Sequence, residues 1–124
     1  MPSNGAFQLE NVANKGVAFK LIKDGTSNTL LIGEKHVPLS TFGEGILDSS
    51  LYNGDTPSPI RPAGPMYPLA LSDRDYGWRF GSYHTGICQF VFVDGHAEAI
   101  SIGIDQTTLG LLADRADGKL IPPY

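Results

Sequence analysis

Several groups of side chains in this 124-residue sequence are of types that chemistry uses. Asp24, Thr26 and Asn28 place oxygen-bearing side chains at alternate positions, as the first half of a calcium loop does. Such a loop needs glycine at its sixth position and a bidentate glutamate at its twelfth, and the chain has Thr29 and Lys35 there. The plainer expectation is an Asx or Ser/Thr turn that caps the next element. Calcium is therefore the one cofactor the residues raise, and the expectation is no cofactor. His36, His84 and His96 are scattered without the close spacing of a zinc site. Cys88 lies inside the apolar run Ile87 to Val93, which predicts a buried, protonated thiol rather than a nucleophile. Asp73 and Asp75 flank Arg74 in a polar turn, as a solvated or salt-bridged pair would. No G-x-S-x-G elbow, phosphate loop or H-E-x-x-H pair occurs, so no enzymatic activity is expected. The aromatic cluster Tyr76, Trp78, Phe80 and Tyr83, with Asp73 and His84 nearby, either covers a core edge or lines a groove for a solute or glycan. Alternation of Trp78 and Phe80 around Arg79 favours the core.

Composition limits the partners and the frame. Thirteen acidic against nine basic residues give a net charge of −4, and no Lys/Arg cluster exists to neutralise a run of phosphates, so nucleic acid is not an expected partner. Fifteen glycines and nine prolines argue for turns over a helical bundle. No apolar run approaches the roughly 18 residues of a membrane span. The length suits one domain over residues 1–124.

These residues must be positioned by a small set of elements. Gly16 to Ile22 reads as a short strand or helical turn that ends at Asp24-Gly25, and Thr29 to Glu34 as a buried strand running toward Val37. Periodicity then disappears over a Gly/Pro-rich excursion, residues 38–76, a length that often carries binding or assembly surfaces. The strongest local signal is a hairpin, Cys88 to Val93 and His96 to Ile102, joined by Asp94-Gly95. A two-residue turn there sets Val91 against Glu98, Phe90 against Ala99 and Cys88 against Ser101, with Phe90 and Phe92 over Ala97 and Ala99. Asp105 is a suitable N-cap for a helix from Gln106 to about Arg115, with Leu109, Leu112, Ala113 and Ala116 as its apolar stripe and Gly118 as its stop. The expected fold is mainly β or α+β: an antiparallel sheet of about four or five strands with the C-terminal helix on its apolar face.

Asp24-Gly25-Thr26-Ser27-Asn28-Thr29, followed by an apolar strand and Gly33-Glu34, resembles one motif of a large bacterial family of prepilin-type proteins of unknown function, also labelled solute-binding-like. Phe80-Gly81-Ser82-Tyr83-His84, followed by Asp94-Gly95, resembles the family's F-G-S-x-H start and H-x(9)-D-G spacing. The resemblance covers Val17 to Glu34 and Trp78 to Gly118. Tyr83 stands where the family often has a basic residue and Thr85 where it often has proline. The family usually begins with a type IV pilin-like signal and a long hydrophobic helix, which implies that this chain is a shortened head or a soluble relative. A non-enzymatic surface or envelope assembly protein follows from that likeness, extracytoplasmic, with envelope proteins or its own copies as partners. The alternative is an extracytoplasmic module for a small solute or glycan. The H-x(9)-D-G spacing itself measures a strand: at ~3.3 Å per residue, Asp94 lies roughly 20 Å from the strand's start, too far for His84 and Asp94 to share a site. Continuing the hairpin register sets His84 near Asp105.

Overall fold

The computed structural model describes residues 4–7, 16–50, 52 and 58–124. Three strands, β1 (Leu30–Gly33), β2 (Ile87–Phe92) and β3 (Ala97–Ser101), form one antiparallel sheet in the order β1-β2-β3. A helix, α1 (Gln106–Ala113), follows. The sheet is thus smaller than the four or five strands expected. The returning segment at Phe80 contributes only a single bridge, to Lys35, beyond the end of β1.

β2 is the organising strand. Cys88, Phe90 and Phe92 alternate onto its buried face, and together with Leu30, Ile100, Leu69, Leu109 and Leu112 they make the core. Burying a phenylalanine or leucine contributes about 1.5–3 kcal/mol each, so this cluster is the main stabilising term of the sheet–helix pair. The expectation that α1 covers the apolar face holds through Leu109 and Leu112, both almost wholly buried. Asp105 caps the helix as its sequence suggests: its carboxylate accepts from Thr108 N at 2.9 Å and from Thr108 Oγ1 at 3.2 Å. The helix ends earlier than the glycine signal implied. Asp114 is extended, with φ −88° and ψ 140°, and Ala116 is exposed rather than part of the stripe. Gly118 serves elsewhere, donating its N–H to Asp24 Oδ1 at 2.9 Å.

The hairpin forms where it was expected, but in a different register. Gly95 N donates to Phe92 O at 2.9 Å and Phe92 N to His96 O at 2.9 Å, so the loop has three residues, Val93, Asp94 and Gly95. A two-residue type I′ turn needs positive φ at both central positions, whereas only Gly95, at +92°, takes it here. The extra loop residue slides every pair by one: Val91 faces Ala97, Phe90 faces Glu98 and Cys88 faces Ile100. Because neighbours alternate faces, Ala97 and Ala99 point to solvent and Ile100 enters the core in their stead.

The Gly16 to Ile22 region is a 3-10 turn at Phe19–Leu21. From the 38–76 excursion Leu69 joins the sheet–helix core, and Leu47 and Ala70 are buried as well; residues 51 and 53–57 lie outside the described residues. Its return brings Phe80 edge-on to Phe90, ring centroids 5.2 Å apart. Gly33 sits beneath both rings: a Cβ there would lie 2.8 Å from Phe80 Cδ1 and closer still to Phe90. Gly33→Ala is therefore expected to lower the unfolding free energy by about 1–3 kcal/mol through overpacking, while Gly45→Ala, which meets no atom within 4 Å, should stay within about 0.5 kcal/mol in the same urea titration.

Candidate functional site

The motif segments interlock around the two ends of β2. At one end Ser82 Oγ donates to Ile87 O at 2.7 Å and accepts from His84 N at 3.0 Å, which closes the turn between the Phe80 segment and β2. That turn presents His84 Nε2 to Glu34 Oε1 at 3.2 Å, and the other oxygen of Glu34 accepts from Gln89 N at 2.7 Å. The partner of His84 is thus Glu34 rather than Asp105, whose carboxylate caps α1. Gly81 permits the approach, since a Cβ there would lie 2.7 Å from Ala70 Cβ and 3.1 Å from His36 Cβ.

At the other end the hairpin loop docks on the Asp24–Thr29 turn. Asp94 N donates to Thr26 O at 3.0 Å and Val93 N to Thr29 O at 3.0 Å. The Asp94 carboxylate accepts from His96 N at 3.0 Å and contacts His96 Nδ1 at 2.6 Å, and these hydrogen bonds hold its pKa below the ordinary aspartate value. The His96 ring stacks on Phe92, centroids 4.4 Å apart. His84 and Asp94 accordingly occupy opposite ends of a six-residue strand, as the spacing argument required.

Asp24, Thr26 and Asn28 lie in one turn, held by other bonds than the Asx or Ser/Thr cap that the sequence suggested. Asn28 Nδ2 donates to Asp24 O at 3.1 Å and Thr29 Oγ1 to Gly25 O at 3.0 Å. The Asp24 carboxylate accepts the amides of Asp117 at 2.7 Å and Gly118 at 2.9 Å, fastening the tail to the turn. Both carboxylate oxygens thereby face N–H donors, the complement of what a cation needs.

The aromatic candidates differ in their surroundings. Phe80 packs on the core, whereas Trp78 is half-buried and outside the core cluster. Tyr76 is 69% exposed. Tyr83 turns the other way, donating its hydroxyl to Val37 O at 2.7 Å with its ring 6.0 Å from Phe42 and 6.4 Å from His36. Asp73 is exposed and holds Leu39 N through its backbone carbonyl at 2.6 Å. Two hollows stand out among the described residues. One, about 250 Å³, lies between the end of β3 and the tail at Ile104, Asp105 and Tyr124; the other, about 410 Å³, lies among Phe7, Val17, Phe19, Ile22, Leu31 and Val93. Neither is lined by Asp73, Tyr76, Trp78 or Tyr83.

Sequence reasoning passed over the polar centre of the excursion. Arg61 is buried, and its guanidinium donates to Ser58 O, to Ile60 O at 2.9 Å, to Leu47 O at 2.7 Å and to His36 O at 3.4 Å. Burial draws its pKa downward, with Asp48 opposing. Lys35 bridges Asp48 at 3.3 Å and Ser49 O at 2.9 Å, and buried His36 places Nε2 2.8 Å from Asp75 O. No local pattern marks Arg61, because its partners are backbone carbonyls up to 25 positions away. Glu34 had a signal, as the last residue of the apolar-strand motif.

Cys88 has no exposed surface. Burial, and then the Glu34 charge, push its thiol up to about 12. Thiol reagents at neutral pH should therefore leave the native protein unmodified and react with one equivalent per chain only in denaturant. Phe90→Ala should cost about 3–5 kcal/mol as a core truncation, and Trp78→Ala clearly less in the same denaturation series.

The interlocked segments are the parts of the chain that a family comparison can be expected to see. The family described as Protein of unknown function (DUF1559), labelled SBP_bac_10, matches residues 1–107. The match takes in the whole excursion and stops just inside α1, so it is wider than the two motif segments on one side and excludes the tail on the other. No curated protein and no solved structure matches the chain. With 107 of 124 residues matched, this chain belongs to the DUF1559 family.

Proposed function

We propose that this protein is a non-enzymatic assembly head of the cell surface or envelope, of prepilin or pseudopilin type, which works through contacts with other envelope proteins or with its own copies. The supporting observation is the character of the larger hollow. Among the described residues, all those that line it are apolar or glycine. Phe7 and Phe19 beside it are 66% and 74% exposed. A small-solute site combines apolar walls with a few convergent polar groups that fix orientation, and the described lining of this hollow supplies none. Exposed apolar rings at an apolar hollow suit a protein surface instead. The motif residues fit the same reading: Glu34, His84, Asp94 and Asp24 are spent on joining segments of the chain to one another.

The family label favours a second reading, a solute- or glycan-binding module. In that reading Asp73, Tyr76, Trp78, Tyr83 and His84 would take the ligand, and Asp24, Thr26 and Asn28 a calcium ion. A thermal-shift screen against calcium, zinc, sugars and amino acids separates the two, since a ligand of the native state raises the midpoint by mass action. The assembly reading expects no shift from any of them. It also expects self-association in sedimentation velocity that Phe19→Ser weakens without lowering the melting midpoint. A reproducible shift with a sugar or an amino acid would transfer the assignment to the solute reading.

A further inference from the structure

We propose that the apolar hollow beside Phe19 receives the turn at residues 41–48 of a second copy of this chain, with Ile46 as the inserted side chain and Glu44 facing Lys20 and Lys23. The inference rests on the assembly reading and names its partner and its contact. Phe19 and Ile22, joined by Ile22 N donating to Phe19 O at 3.0 Å, both line the hollow. Lys20 and Lys23 follow them directly in the chain, so each of these wall residues has an ammonium beside it. Both lysines are exposed, and neither carries an ion pair among the described residues. The nearest carboxylates in sequence, Asp24 and Asp94, are taken up by the amides of Asp117 and Gly118 and by His96. A hollow of about 410 Å³ with apolar walls and two unmatched positive charges calls for an apolar side chain accompanied by a carboxylate.

The chain itself presents that combination. Successive bonds wind residues 41–48 tightly: Glu44 N to Thr41 O at 3.1 Å, Leu47 N to Glu44 O at 3.1 Å and Asp48 N to Glu44 O at 2.9 Å. Leu47 is buried and roots the turn, while its neighbour Ile46 is 70% exposed. No lysine or arginine occurs among residues 41–50. Asp48 is matched by Lys35 at 3.3 Å, whereas exposed Glu44 has no ion pair among the described residues. Three other non-aromatic side chains are comparably exposed, and each fits worse. Leu120 follows Lys119, Leu71 lies three positions from Arg74, and Met66 has no acidic residue within five positions. Hollow and turn lie toward opposite ends of β1, the one at Leu31 and the other fastened to Lys35 beyond Gly33. A copy that fills one hollow therefore still offers its own. The contact is heterologous and passes from copy to copy unless the rotation between them closes a ring.

Sedimentation velocity on the whole chain tests this from about 10 µM to about 1 mM, the range over which a weak interface fills. Phe19→Ser and Ile46→Ser should each weaken association about tenfold or more, the loss of one buried apolar side chain. Neither should lower the melting midpoint, since both side chains are exposed. Mixed one to one, the two variants should form a pair and nothing larger, because the intact turn of one meets the intact hollow of the other. Its affinity should match a single contact of the unaltered chain within about twofold, as expected for separate sites. Glu44→Lys should weaken association at low salt, and Lys20→Glu with Lys23→Glu in the same chain should restore it. A mixture of Phe19→Ser and Ile46→Ser that stays monomeric would overturn the proposal. So would association that Phe19→Ser removes but Ile46→Ser leaves intact, an outcome in which the assembly reading stands. A solute shift in the thermal screen, with the two variants still pairing, would sink that reading alone.

Discussion

Phe80 meets Phe90 edge-to-face, and both rings lie over the bare backbone of Gly33. That contact joins three parts of the chain that are far apart in sequence: the end of β1, the middle of β2 and the point where the long excursion returns. It fixes how far β1 slides along β2, because Gly33 pairs directly with Phe90. It also fixes where the next residues go. With Phe80 seated, Gly81 follows against Ala70, Ser82 closes its turn, and His84 arrives beside Glu34. Close packing makes such a junction intolerant of even one added methyl group.

A second, polar junction governs the excursion. Arg61 collects carbonyls from residues 36, 47, 58 and 60, so one guanidinium replaces the hydrogen-bonding partners that a sheet or helix would have given these segments. Irregular backbone can be buried only if its polar groups find partners, and a planar fork of donors is suited to carbonyls that converge without regular spacing. His36 Nδ1, Ser49 Oγ and Arg61 Nε remain without a hydrogen-bond partner among the described residues.

The residues of the two sequence motifs act as fasteners. Asp24 holds the tail, the Asp94 loop holds the Asp24–Thr29 turn, Ser82 and Glu34 hold the entry to β2, and the motif glycines allow rings and side chains to close over the backbone. The apolar hollow near Phe19 lies apart from these fasteners.

The sequence by itself determined the local elements. Alternation gave β2 its buried face, Asp105 gave α1 its cap, Asp94-Gly95 marked the hairpin, and the apolar run around Cys88 foretold a buried thiol. Each depends on neighbours within a few positions, so the physics is readable along the chain. Tertiary structure alone decided the rest. The loop took three residues instead of two, which moved Ala97 and Ala99 outward and Ile100 inward, because a one-residue slip is nearly neutral locally and is settled by which side chains the core accepts. The extra strands expected from the apolar and aromatic segments shrank to single bridges, since the returning chain had to satisfy Phe80 and Ala70 at once. The partners of His84 and Arg61 were settled only by folding, for both depend on groups brought together across long stretches of sequence.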